Sequence, residues 1–450
     1  MTGYNSQNLS IFNAKHLPSN RACMSQTTTR SSNQYVKLIR ENPDFRNLWL
    51  GQIVSLLGDW FNLIGSAALI ATLTGSGVAI SGLFVVRMLA PFLVSPVAGV
   101  VADRYDRRMI LVVADLLRAG IVLCFLLVRS AEMVWLLYVL TALQLGVSGF
   151  FDPAKNAILP DVVAPQRLGA ANALISATWS MMLAFGAALG GLVAGTWGVY
   201  TSFSLDAVTF LLSAFFILRV GYRTQPAQGR NGKSIGDGVR EYVEGLRYLL
   251  RERDILMIAS QKGMIALAVA GGFNVVQVAI AERVFVIGEG GSLSLGIFLT
   301  VFGIGTGIGP IVARRWSGDR DGPLRQSITI FYGLTGIGLL VLAPLADFYS
   351  VNLGMFLRGF GGGVVWVFGT QLLLQNVPAA VRGRVFATEF AFFALASAIG
   401  AAWTGFTLDN LGISGTLWLM FWFNLVPGVI WFWWTVRRKA AIRAATSGPI

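Results

Sequence analysis

Ionisable residues interrupt the long apolar stretches of this 450-residue chain. They are Asp59, Arg87, Asp115, Arg118, Asp206, Lys262, Arg358 and Glu389. A charge at mid-bilayer costs about 2.5–3.5 kcal/mol on insertion scales, so each of these residues needs a partner or a polar cavity. A carboxyl in such a place can carry a proton. Low dielectric favours its neutral form, a neighbouring guanidinium favours its charged form, and a conformational change can switch between the two. Asp59 and Arg87 sit near the middle of consecutive, antiparallel stretches and are expected to pair, with Asp59 as the proton carrier. Asp115 and Arg118, at i and i+3, share one helix face. Asp115, Asp206 and Glu389 are further candidate carriers, and Arg358 is a cavity charge. The alternative for each is a static ion pair that specifies helix packing.

The elements that must hold these groups are membrane helices. Hydrophobic residues make up 55% of the chain and charged residues 13%. Mean hydropathy is positive, which an ordinary soluble fold does not tolerate. Twelve apolar stretches, from Leu48–Leu73 to Trp418–Val436, are each long enough to cross a bilayer as a helix. Barrel strands would be about half as long and alternating. The formal charge of +13 raises the question of nucleic acid, and its distribution argues against that. Of the 35 lysines and arginines, only Arg129, Arg283 and the intramembrane Arg87, Arg118, Lys262 and Arg358 do not fall at one end of the alternating stretches. That is the positive-inside pattern, with both termini cytoplasmic. Cys23 and Cys124 imply no disulfide. Residues 1–45 are polar, carry the single histidine (His16), and read as a disordered cytoplasmic tail rather than a signal peptide.

The stretches divide into an N-terminal six-helix bundle (46–220) and a C-terminal six-helix bundle (254–436). A cytoplasmic linker (221–253) joins them, and a basic cytoplasmic tail (437–450) follows. Within the linker, Ile235, Val239, Tyr242, Val243, Leu246, Leu249 and Leu250 recur at helical spacing opposite Arg240, Glu244, Arg247 and Arg251. That pattern fits an amphipathic helix lying along the membrane surface. The halves also look alike. Pro160–Arg167 and Gln375–Arg382 each follow the fourth stretch of their half, and Gly309–Arg315 stands where Gly99–Arg108 stands in the first.

The segment Gly99–Arg108, GVVADRYDRR, concentrates Asp103, Arg104, Asp106, Arg107 and Arg108 between the second and third stretches. Gly99 permits close helix approach. Asp103 can accept hydrogen bonds from a helix N-terminus, and the arginines can pair with Asp103, Asp106 or lipid phosphates. This segment resembles the loop between helices two and three of the major facilitator superfamily of transporters, where it acts as a cytoplasmic conformational lock. The family often has Gly where this chain has Asp106, so a tighter or differently paired turn is expected. Gly186-Ala187-Ala188-Leu189-Gly190-Gly191 resembles the antiporter motif of exporters, with Ala187 in place of proline. Phe45–Gln52, Gly58-Asp59-Trp60, Phe151–Lys155, Ala170–Leu174 and Arg382–Val385 together resemble the enterobactin-exporter-like and macrolide-efflux-like branch.

The resemblance implies an all-α membrane protein with twelve transmembrane helices in two pseudo-symmetric bundles. It also implies a monomeric secondary transporter of the cell (inner) membrane, exporting a small amphipathic molecule such as a drug-like compound or siderophore by proton antiport. A lysophospholipid flippase on the same fold, or a non-transporting receptor or scaffold, is the alternative. Membrane lipids and a small-molecule substrate are the expected partners, with no nucleic acid, metal or cofactor. The chain shows no P-loop, metal-ligand spacing or nucleophile motif, so no enzymatic activity is expected. The charge pattern makes a direct prediction: a single cysteine placed near Arg230 is expected to resist an impermeant thiol reagent in intact cells and to react in inverted vesicles. Labelling from outside would overturn the orientation.

Overall fold

The computed structural model describes residues 35–221 and 235–446, and no strand occurs among them. The first bundle comprises α1 (Pro43–Thr74), α2 (Gly77–Arg104), α3 (Arg107–Cys124), α4 (Val134–Val162), α5 (Leu168–Trp197) and α6 (Val199–Leu218). A linker helix, Ile235–Arg251, leads into the second bundle. There α7 (Arg253–Arg283), α8 (Ser292–Ser317), α9 (Asp321–Leu342) and α10 (Phe348–Asn376) follow in order. The final helical stretch, Ala379–Thr446, reverses at Gly412 (φ 70°, ψ −177°) and is therefore two spans, α11 (379–411) and α12 (413–446). The left-handed φ at Gly412 is one a side chain rarely adopts, which is why the turn falls there.

Polar caps set the helix starts. Asn42 accepts the Phe45 N–H at the head of α1, Ser76 accepts the Ala79 N–H of α2, and Asp347 with Ser350 closes a capping box on α10. The Ser350 and Tyr349 hydrogen bonds hold the Asp347 carboxyl below the usual carboxylate range. One π-turn, Ala266–Ala270, interrupts α7. The Trp403 indole N–H donates to the Leu267 carbonyl in that turn (2.7 Å), satisfying backbone that the altered register would leave open.

Each bundle repeats one packing plan. Helix α1 packs on α6, α3 on α4 and α6, and α2 on α4, while α9 packs on α10 and α12, and α8 on α10. Between bundles, α2 meets α11 and α5 meets α8. Both contacts join the second helix of one bundle to the fifth of the other, so one pseudo-twofold axis relates them. Small residues let backbones touch. A Cβ on Gly191 of α5 would lie 2.6 Å from the Gly296 Cα of α8, and one on Gly405 of α11 would lie 2.6 Å from the Ser81 Cβ of α2.

These contacts seal one end of the molecule only. Down α5, the face that meets α8 is closed at Gly191 and Ala187 and exposed at Ser180, Ala177 and Ala173. On α8, Ser292, Gly296 and Gly303 are buried, while Gly307, Ile311 and Arg314 on the same face are exposed. The bundles therefore splay apart toward the end bearing the linker helix and most of the lysines and arginines, called the basic face below. They meet at the opposite face, and a central cavity lies between them.

Both expected tails are shorter than their assigned ranges. Residues 35–41 are helical and Leu38 is fully buried among Phe45, Leu48 and Ile158, so 35–45 is ordered because it has a core to join. At the other end, α12 runs on to Thr446 because Arg438 is held by Asp254 and Asp321. The reading of residues 1–34 lies outside the described residues. Helix α4 continues through Pro153 and Pro160 to Val162.

The seal can be tested chemically. A Cβ on Gly195 would lie 3.0 Å from the Leu293 Cβ, near the Cβ separation of about 3.5–4.5 Å that a disulfide needs. Gly195→Cys/Leu293→Cys is expected to cross-link under mild oxidant and stop transport until reduced. Full activity after complete cross-linking would show that the opposite face need not open.

Candidate functional site

The first bundle gathers its intramembrane charges into one neighbourhood. Asp115 and Arg118, on α3, form a direct ion pair, and the guanidinium lies between the Phe210 ring (4.3 Å) and the Phe151 ring (4.8 Å). Asp206 of α6 is fully buried beside Thr209, whose hydroxyl donates to the Asp206 carbonyl (2.7 Å). A side chain on Gly58 would strike both Asp206 and Thr209, so this glycine lets α1 lie against the buried acid. Asp59 is half-buried, and the cations whose field reaches it are Arg118 first and Arg87 second. No ion pair within 4.0 Å joins Asp59 to Arg87 in this conformation, although the sequence reading paired them. Arg118, projecting from α3 toward α6, is the shared cation instead. Asp115 thus pairs with that guanidinium, Asp59 and Asp206 lie in its field, and Arg87 of α2 lies in the field of Asp59 and Asp206.

The second bundle is built differently. Lys262 of α7 pairs with Glu389 of α11 (2.9 Å) and lies 4.4 Å from the centre of the Trp366 ring. The sequence reading placed Glu389 without its partner. Among the described residues, Arg358 of α10 has no carboxylate beside it. Its guanidinium stacks on Phe273 (3.6 Å) and Phe302 (4.8 Å).

The segment 99–108 folds tightly, with only Tyr105 and Asp106 between α2 and α3. Asp106 is the N-cap of α3, accepting from the Arg108 N–H (2.9 Å) and the Met109 N–H (3.3 Å). That explains how a carboxylate serves where the family often has glycine. With Asp106 so engaged, the arginines find other partners. Arg107 bonds Asp161 (2.7 Å) and the Ala157 carbonyl (2.9 Å) of α4. Arg108 donates to the Leu218 and Ile217 carbonyls, where the α6 dipole favours a cation. Arg104 is exposed. Gly99 and Asp103 lie on the last turns of α2, and the surroundings of their side chains lie outside the described residues.

Gly186, Gly190 and Gly191 serve close packing on two sides. A Cβ on Gly186 would run into the Trp60 indole of α1. On Gly190 it would lie 3.0 Å from the Trp60 carbonyl oxygen, and Gly191 faces α8.

At the opposite face the structure adds a contact that the sequence reading missed. The Asp409 carboxylate of α11 caps the N-terminus of α2 across the bundle boundary. It accepts from the Gly77 N–H (2.6 Å), the Val78 N–H (3.0 Å) and the Ser76 hydroxyl (2.9 Å). Arg283 of α7 donates to the Gly75 carbonyl beside it (2.6 Å).

The Major Facilitator Superfamily profile matches residues 48–286 and 265–449, nearly the whole chain in two copies. The chain belongs to the major facilitator superfamily. Among curated major facilitator relatives, the putative bacilysin exporter BacE of Bacillus subtilis (strain 168) is 25% identical over 363 residues, spanning 80% of this chain and 87% of the relative. Macrolide efflux protein A of Streptococcus pyogenes is 23% identical over 384 residues, spanning 83% and 93%. In fold, the nucleoside transporter NupG is similar at TM-score 0.65 and 14% identity, covering 86% of this chain and 98% of that one. A bacterial homologue of the iron transporter ferroportin in its inward-facing state is similar at TM-score 0.64 and 15% identity, covering 87% and 98%. The major facilitator protein described here is therefore a multi-pass membrane transporter with relatives named as exporters.

Asp409→Asn is expected to weaken the closed opposite face by about 1.5–3 kcal/mol, the worth of hydrogen bonds to a charged group. Spin-label distances between α2 and α11 at that face are expected to broaden toward longer values, with insertion unchanged. An unchanged distribution would make Asp409 a local cap without hold on the bundles.

Proposed function

We propose that this protein exports small amphipathic molecules by proton antiport at the cell membrane, with the basic face cytoplasmic and the described conformation inward-facing. One observation carries the reading. A half-buried carboxylate, Asp59, lies in the field of two guanidiniums and close to two further acids, in a bundle whose facing helices meet at the opposite face and part toward the basic one. A static pair would satisfy itself with one partner, as Lys262 and Glu389 do. An acid sharing cations with its neighbours can gain or lose a proton as the bundles rock, because each arrangement sets a different balance of desolvation and charge. Names among the relatives, an exporter and an efflux protein, support the outward direction. The positive-inside pattern supports the orientation. The cavity opening at the basic face supports cargo loading from the cytoplasm.

In the proposed cycle, cargo enters from the basic face while the outer seal of α2 with α11 and α5 with α8 holds. Rocking then opens the seal at Gly191–Gly296 and Asp409 and closes the basic face, where the 99–108 turn sits. Proton entry is worth about 2.3 kcal/mol per charge per 100 mV and can bias the return.

Asp59→Asn is expected to abolish accumulation against a gradient in proteoliposomes with an imposed pH difference, while downhill exchange persists. Binding and coupling are separable steps. Wild-type uphill flux in the variant would assign coupling to another acid or another ion.

A further inference from the structure

Arg358 breaks the pattern that the other intramembrane charges keep. Arg118 has Asp115, Lys262 has Glu389, and Arg87 lies in the field of Asp59 and Asp206. Among the described residues no acidic side chain pairs with Arg358. The residue is only 6% exposed, and its Nε finds no hydrogen-bond partner. An arginine is charged under essentially all conditions, so this is a cation at mid-membrane held only by ring faces. Breaking a buried pair by removing one partner is strongly destabilising, and a chain that keeps such a half-pair has reason to.

Its position supplies the reason. Arg358 lies about 15 Å along α10 from the opposite face, by the helical rise, which is the depth of the bilayer centre. Phe302, one of its two stacking rings, is half-buried on α8 and precedes Gly303, whose missing side chain would meet Leu183 of α5. Phe302 itself packs on Gly359 of α10, so the guanidinium and its rings stand between α7, α8 and α10, one residue along α8 from its contact with α5. Neighbouring Phe273 is buried on α7, so the surroundings are aromatic and dry.

We propose that Arg358 is the anion-recognition residue of the cavity, and that the transported class carries a carboxylate on an apolar or aromatic body. A carboxylate offers the fork geometry that matches a guanidinium with two parallel hydrogen bonds. The rings of Phe273 and Phe302 hold the guanidinium flat, and the half-buried Phe302 offers contact to the ligand's apolar part. A phosphate carries more charge and is more strongly hydrated than a carboxylate, so a dry, aromatic-lined guanidinium favours the carboxylate. The inference rests on reading the cavity as the transport path and narrows its cargo. The first bundle handles the proton and the second the anion.

The probe is sodium benzoate, titrated against purified full-length protein with melting temperature as readout. Sodium chloride at matched ionic strength, neutral benzamide and inorganic phosphate are the comparison arms. Benzoate is expected to stabilise the wild-type protein in a saturable way, while benzamide and phosphate do not. Arg358→Gln is expected to weaken the benzoate response about 30-fold or more, as loss of one partner of a buried charge pair does, and Arg358→Lys to recover part of it. An equal response to benzamide, the absence of a wild-type response to benzoate, or an undiminished response in Arg358→Gln would each overturn the assignment. The benzamide and phosphate arms need no variant, so they decide even if Arg358→Gln does not fold. If the benzoate response depends on Arg358 but no cargo moves in proteoliposomes, transport is the reading that fails. If cargo moves and benzoate ignores Arg358, this inference fails alone.

Discussion

A charge in the middle of a membrane must be compensated within a few ångströms, and the two bundles meet that constraint in different ways. In the first, α1, α2, α3 and α6 converge on Arg118, so that three acids and a second arginine share one electrostatic neighbourhood. That convergence requires α1 to lie hard against α6, which Gly58 permits. In the second, Lys262 and Glu389 cancel each other and Arg358 is left to aromatic faces. A pseudo-symmetric frame thus carries an asymmetric set of charges. The frame is set by packing and the asymmetry by side chains.

The ends of the molecule divide in a similar way. At the opposite face the bundles touch through backbone, with glycines on α5 facing α8 and Asp409 reaching across to the N-terminus of α2. At the basic face, charge holds each bundle together internally. Arg325 donates to both oxygens of Asp254 (2.9 and 2.7 Å) and to Asp321 (3.0 Å), and Trp434 donates to Asp254 (3.0 Å), tying α7, α9 and α12 into one unit. Arg107 and Asp161 tie α3 to α4 in the same way. Each bundle is stiffened where it swings free and is close-packed where it meets its partner.

The number of spans, the sixfold division and the repeat were legible because a bilayer imposes a length on every helix and a charge bias on every loop. Those constraints are one-dimensional, and so is the sequence. Pairing depends on rotation about each helix axis, which apolar length does not record. Depth alone suggested Asp59 with Arg87, whereas the azimuth of α3 brings Arg118 to bear on Asp59 ahead of Arg87. Asp409 was hidden for a different reason. Its partners in α2 lie more than 330 residues away in sequence (331, 332 and 333), so no local pattern announces the contact. Arg438 read as part of a basic tail because its acids, Asp254 and Asp321, stand at the heads of other helices. The glycines of α5 were visible as a motif, yet their two-sided packing against α1 and α8 needed the third dimension.

In the proposed cycle the size of the outer contact matters as much as its presence. A seal too strong for the driving force would trap the inward-facing state, and one too weak would leak. Hydrogen bonds to a charged acceptor are worth about 1.5–3 kcal/mol each way between made and broken, and one proton crossing 100 mV returns about 2.3 kcal/mol. Asp409 accepts three such bonds, so the latch at the head of α2 is not released by one proton alone and must open together with the glycine contact of α5 with α8. Both contacts obey the same pseudo-twofold axis, so a single rocking motion parts them together. Helix α1, which carries the proposed proton carrier Asp59, packs on α2 and α5 alike, so a proton taken up there would bear on both halves of the seal at once.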